Sequence, residues 1–185
     1  MWRLTQVFAE IALHRRGPDE LPASRFFFGL ILGTYLAVGF LSLLVSEPAE
    51  RLLELTILGS TLSLGFIGLI ILETFFYLLF VWVVLKVSDH STRFLQTGTA
   101  LLGAETLLGL IGIPILVWID AVRASGGEPT AGTFVYLLLF LWSADVAGFI
   151  LSRALQRGYF VGVLMVLGYL MISFTLREYF FPVTG

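Results

Sequence analysis

Residues 26–45 run for a full bilayer thickness without one charged side chain, and four further long, mostly apolar stretches follow at 52–87, 94–119, 132–152 and 159–176. A helix needs roughly 20 apolar residues to cross the hydrocarbon core of a membrane. Five such spans with short connections use nearly all of the 185 residues. The remaining composition agrees: 58% of the residues are hydrophobic and only 13% are charged, against about 25% in an average soluble protein. Too few charges remain to coat a soluble domain. The expected fold is an all-α polytopic membrane bundle, five transmembrane helices occupying 25–185, preceded by a short N-terminal interfacial segment at 1–24. The first apolar run exceeds the roughly 7–15 residues of a signal-peptide core, so it is expected to be a retained span.

The chain has no cysteine. Disulfides, iron–sulfur clusters, thiolate zinc sites and cysteine catalysis are therefore excluded. One lysine and a net charge of −2 leave no basic stripe for nucleic acid. The two histidines, His14 and His90, have no metal-ligand spacing, and Ser143 and Ser173 lie in spans without a histidine nearby. No cofactor, metal or enzymatic activity is expected.

In the N-terminal segment, Leu4, Val7, Phe8 and Ile11 recur on one helical face, while Arg3, Gln6 and Glu10 lie on the other. Two arrangements satisfy this pattern: a helix lying in the membrane interface with its apolar face among lipid tails, or a helix packed on the rest of the protein. Gly17-Pro18 ends it, and Ser24 is placed to cap the first span. Ser46-Glu47-Pro48 stops that span. The second stretch exceeds one bilayer thickness, so its first turns, with Arg51 and Glu54, are expected in the interface. Pro114 is expected to kink the third span.

Basic residues concentrate on the cytoplasmic side of membrane proteins. With five spans, Arg3, Arg15, Arg16, Arg25, Lys86, Arg93, Arg153 and Arg157 fall on one side, and Arg51, Arg123 and Arg177 on the other. The N-terminus is thus expected in the cytoplasm and the C-terminus across the membrane. Phe26-Phe27-Phe28, Trp118 and Tyr179-Phe180-Phe181 stand at span ends, where aromatic belts form.

Three acids lie inside spans: Glu73, Glu105 and Asp145. A charge at mid-bilayer costs roughly 2.5–3.5 kcal/mol on insertion scales, so each is expected to be protonated or hydrogen-bonded across helices. Using a rise of about 1.5 Å per residue, Glu73 lies about 20 Å from Lys86, Glu105 about 18 Å from Arg93 and Asp145 about 12 Å from Arg153. The three can share one layer if their helices are neighbours. Tyr77, one turn from Glu73, offers a phenol to a carboxylic acid. Small residues indicate where helices approach closely: Gly29 with Gly33, Gly158 with Gly162, Ala144 with Gly148, and the Gly98, Gly109 and Gly112 face that also carries Glu105.

The cytoplasmic segment followed by five closely spaced spans resembles the Yip1-domain family. The stretch KVSDHSTRFLQTGTALLGAETLLGLIGIP at 86–114 and the phrase RRGPDELPAS at 15–24 are similar to short bacterial membrane proteins of that kind. The resemblance implies a five-span inner-membrane protein. The DLYGP-type motif of the eukaryotic members does not occur, so no residue role follows from it. Two functions fit the residues. The first is a non-enzymatic scaffold or accessory subunit, packing against the lipid bilayer and against itself or a larger membrane complex. The second is a small transporter or channel-like protein that uses the acidic layer for proton or cation coupling.

Overall fold

The computed structural model describes residues 2–46 and 61–180. The expected interfacial turns around Arg51 and Glu54, the Glu47-Pro48 stop and the terminal Phe181 and Pro182 lie outside the described residues. Those described contain helices and turns but no strand. Helix α1 (Trp2–Ala12) leads through a 3-10 turn (Pro18–Glu20) into α2 (Arg25–Ser46). Then come α3 (Thr61–Val87), a second 3-10 turn (Ser91–Arg93), α4 (Phe94–Ala124), α5 (Thr130–Ala154) and α6 (Tyr159–Phe180). Apolar segments long enough to cross a membrane occur in four of these: Arg25–Val45, Ile70–Val87, Ser91–Ala124 and Thr130–Ala154. The apolar stretch of α6 is shorter, Tyr159–Thr175.

The helix boundaries follow from local chemistry. The Phe27 amide donates to Ser24 Oγ at 3.3 Å, the cap expected for α2. Helices α1, α3, α4 and α5 all end alike. A left-handed residue (His14, Asp89, Gly126 or Gln156) closes the last turn, and the amide after it bonds back to Glu10, Leu85, Val122 or Ser152. This double closure satisfies the orphan carbonyls of a helix end. It also reverses the chain within a few residues, which lets α4, α5 and α6 stack as antiparallel neighbours. Helix α4 continues unbroken through Pro114. Its 31 residues extend about 46 Å at the usual rise, so it must tilt or protrude from a hydrocarbon layer of about 30 Å.

The core occupies one half of the bundle. Along α4 everything from Thr97 to Ala104 is buried, and along α5 everything from Val146 to Ser152. The opposite halves of both helices are largely exposed. The buried half lies toward Lys86, Arg93, Arg153 and Arg157, here termed the basic end. At that end Arg93 Nη1 donates to the Ala154 carbonyl at 3.2 Å, tying the start of α4 to the end of α5. Elsewhere large apolar side chains face outward: Phe26 is 82% exposed, Phe160 78% and Met171 73%. In water such a surface would aggregate; in a bilayer it is the lipid-facing shell.

Of the two arrangements open to α1, the structure adopts the packed one. Phe8, Ile11 and Ala12 are buried in the common core, and Ile11 is 0% exposed. Phe8 lies on Gly103 of α4, where an added Cβ would come within 2.1 Å of its ring. The Trp142 indole donates to the Ala12 carbonyl at 3.1 Å, and Gln96 Nε2 donates to the Leu21 carbonyl at 2.9 Å. Phe8 and Ile11 of the apolar stripe therefore meet protein, with Gly103 supplying the recess.

Glycines divide into two groups. An added Cβ at Gly162 would meet the Gly148 carbonyl oxygen at 2.0 Å, so α5 and α6 cross backbone to backbone there. Gly98 sits under Phe28, Gly109 beside Val38, and Gly112 beside Leu139. The expectation fails for Gly29, Gly33 and Gly158, which have nothing within 4 Å of an added Cβ. The reason is angular. Helix α2 turns Phe28, Ile31, Tyr35 and Val38 inward, which leaves Gly29 and Gly33 on the outer surface. Gly162→Ala should therefore destabilise the protein by about 1–3 kcal/mol, the usual cost of overpacking. Gly29→Ala, with nothing near the added methyl, should leave stability unchanged or raise it by up to about 1 kcal/mol, the helix preference of alanine over glycine. Unfolding in a mild detergent checks both.

Candidate functional site

Side chains from all five long helices converge on one cavity of about 210 Å³. Helix α2 contributes Tyr35, α3 Glu73 and Tyr77, α4 Glu105, α5 Phe140, Ser143, Ala144 and Ala147, and α6 Val166, Tyr169 and Leu170. The lining is mostly apolar, with two carboxyl groups, three phenols and one hydroxyl set into it. Buried polar groups require partners, and Glu105 and Ser143 supply one another. Ser143 Oγ donates to Glu105 Oε1 at 2.8 Å. Glu105, Tyr169 and Glu73 all lie within electrostatic reach of the Tyr35 phenol, and Thr74 is its hydrogen-bond neighbour. The Tyr77 and Tyr169 rings pack at 4.9 Å between centroids, and Phe80 closes on Tyr169 at 5.3 Å.

The helix register explains the convergence. Helices α2 and α3 run antiparallel, with Tyr35 level with Thr74 and Gly39 level with Ile70. The middle of α2 thus faces the middle of α3. The Glu-Thr dipeptides at 73–74 and 105–106 share one local solution. Each threonine hydroxyl donates to the carbonyl four residues earlier, Thr74 to Ile70 at 2.7 Å and Thr106 to Leu102 at 2.6 Å. Each glutamate lines the cavity.

Asp145 departs from the expected layer. Ser143 and Asp145 are about 200° apart around α5 at 100° per residue, so they cannot serve one cavity. Asp145 instead meets α1 and the start of α6. Its Oδ2 lies 3.3 Å from His14 Nε2, its Oδ1 accepts from the Tyr159 hydroxyl, and the His14 ring rests on Phe149 at 4.4 Å. The acids in the bundle interior are thus Glu73 and Glu105, and Asp145 belongs to the attachment of α1.

Tyr35, Ser143 and Tyr169 are the polar cavity residues that sequence reasoning did not place beside the acids. A signal existed for the tyrosines. Tyrosine belongs at membrane interfaces, where its hydroxyl reaches water, and both stand mid-span. For Ser143 the sequence carries no such mark. Among the described residues no group of three or more His, Cys, Asp and Glu side chains converges as a metal site. The cavity offers oxygen ligands only. Comparison with known proteins returns no matching family model, curated protein or solved structure.

The hydrogen bond across α4 and α5 is open to direct measurement. In a double-mutant cycle of Ser143→Ala with Glu105→Leu, which removes the accepting oxygen, the coupling should be about 0.6 kcal/mol and at most about 1.7 kcal/mol, the range of interhelical hydrogen bonds in membranes. Asp145→Asn paired with Glu105→Gln should show additivity, as expected of sites without a shared partner. Unfolding in detergent reports both.

Proposed function

We propose that this is a small transporter or channel-like membrane protein whose Glu73 and Glu105 take up a proton or small cation inside the bundle. The observation that supports this reading most is the cavity itself, lined by both acids and by side chains from every long helix. Structural acids that merely join two helices need only a local partner. Here two acids on different helices open onto a shared space with phenols and a serine around it. Intramembrane ionisable groups facing an interior cavity mark ion and proton pathways.

The chemistry narrows the occupant. Dehydrated alkali ions in transporters are held by carbonyls of broken helices, whereas α3, α4 and α5 run unbroken past this cavity. A proton shared among carboxyls and phenols needs no free carbonyl, and a small ammonium ion is served by carboxylates and aromatic rings. On this reading the chain has five spans in an inner membrane, with the basic end cytoplasmic and the C-terminus across the bilayer. The layout of Yip1-domain proteins is consistent with that placement.

The scaffold reading keeps one observation in its favour. The outward Gly29 and Gly33 surface of α2 meets no other part of the described chain and suits a second helix in the membrane. A flux assay separates the two. In liposomes holding a pH-sensitive dye, imposed proton and ammonium gradients should dissipate faster with protein than without it. Glu73→Gln and Glu105→Gln should each return the rate to that of empty liposomes, and Asp145→Asn should retain it. Parent protein that leaves every gradient as empty liposomes do would overturn the transport reading in favour of the scaffold.

A further inference from the structure

Different helices line the acid cavity with different chemistry. The side chains from α2, α3 and α4 are all polar: Tyr35, Glu73, Tyr77 and Glu105. Those from α5 and α6 are mostly apolar, with Phe140, Ala144, Ala147, Val166 and Leu170 among them. The apolar wall is firmly seated. Helices α5 and α6 cross at Gly148 and Gly162, where an added Cβ at Gly162 would meet the Gly148 carbonyl oxygen at 2.0 Å. Aromatic rings stand between the two kinds of lining. The Tyr77 ring, from the polar set, packs on the Tyr169 ring of α6 at 4.9 Å between centroids and 44° between planes. An aromatic face serves both sides of such a boundary, because it attracts a cation and also packs against an apolar body.

Size is the second constraint. The cavity measures about 210 Å³, and an apolar cavity of about 150 Å³ already admits a benzene molecule. A proton or a bare ammonium ion fills little of this space. It would leave the α5 and α6 side chains without the close contacts that an apolar surface gains from a neighbour. The cavity is also open to a ligand: Tyr35, Glu73, Tyr77, Glu105, Ser143 and Tyr169 are each half-buried, not sealed.

We infer that the cavity takes a lipophilic organic amine, a single ammonium group carrying an apolar body about as large as a benzene ring. Glu73 and Glu105 hold the ammonium group, with the Tyr77 and Tyr169 rings beside it. The apolar body lies against Ala144, Ala147 and Leu170. One ionised carboxyl balances the single positive charge, and the other keeps its proton and acts as a hydrogen-bonding partner. The Ser143 hydroxyl, which donates to Glu105 Oε1 at 2.8 Å, orients that carboxyl group. That such an amine crosses the membrane rests on the transport reading, whereas its binding rests on the cavity.

Equilibrium dialysis of the purified protein in mild detergent at neutral pH tests this, with protein-free micelles as the blank. The probes are benzylammonium, benzyl alcohol (the same shape without the charge) and methylammonium (the charge without the body). Benzylammonium should bind about tenfold more tightly than either of the others, since each lacks one of the two interactions. Glu105→Gln should weaken benzylammonium binding about tenfold. Ala144→Leu, which fills the apolar side, should weaken benzylammonium and leave methylammonium unchanged. The comparison of probes on the parent protein decides the matter even where a variant fails to fold. Benzyl alcohol or methylammonium binding as tightly as benzylammonium would overturn the assignment, as would benzylammonium that does not bind. Benzylammonium bound by a protein that dissipates no gradient would sink the transport reading and leave the amine site standing. Gradients dissipated by a protein that does not bind benzylammonium would do the reverse.

Discussion

The packing of this protein depends on how little side chain α4 carries where the other helices cross it. Between Thr97 and Ala104 the helix presents Thr, Gly, Thr, Ala, two leucines, Gly and Ala, all buried. In lipid there is little hydrophobic force to press helices together, and association rests on close van der Waals contact. Gly98 admits the Phe28 ring from α2, and Gly103 on the far side admits Phe8 from α1. Two faces of one helix are occupied within two turns. The threonines bring no orphan hydroxyls into this crowded region, because Thr97 and Thr99 donate to their own helix at Arg93 and Leu95. Substitution by larger residues here would separate α4 from α1 and α2 together.

Beyond Glu105 the same helix changes character, and so does the bundle. Small residues continue at Gly109 and Gly112, but partners no longer close fully over them, and the helices part around space. The two interior acids sit at this boundary between dense and open packing. Among the described residues that line the cavity none is basic. The polar groups around the two acids are hydroxyls, from Ser143 and three tyrosines, and these serve a carboxylic acid and a carboxylate alike, since each can donate or accept. An arginine in the same place would have fixed one state. Hydroxyl lining of this kind is compatible with the proposed transport reading.

The sequence discloses this architecture unevenly. Apolar run length gives the helices of the bundle, because a lipid-exposed backbone must satisfy its own hydrogen bonds and allows little besides helix. Depth along those helices is also legible, since rise per residue is fixed: Glu73 and Glu105, placed level by counting, do line one cavity. Rotation about the helix axis is less so. Asp145 has nearly the right depth and the wrong azimuth, and in a uniformly apolar helix no amphipathic stripe exists to orient it. For the same reason Gly29 and Gly33 could be recognised as a pair but not assigned to the outside of α2. Three helix ends carry His14, Asp89 and Gln156 in left-handed conformation, where only Gly126 offers the usual residue. The fate of α1 turned on Gly103, whose recess is visible only once Phe8 is seen against it.

Helix α5 carries two unrelated duties on opposite sides of the same turns. Ser143, Ala144 and Ala147 line the cavity, while Trp142, Asp145 and Phe149 hold α1 through Ala12 and His14. The helix therefore works as an axle shared by two fittings. Any rotation of α5 that altered the cavity wall would also shift its contacts with Ala12 and His14. One helix thus sets both the shape of the cavity and the seat of the N-terminal segment.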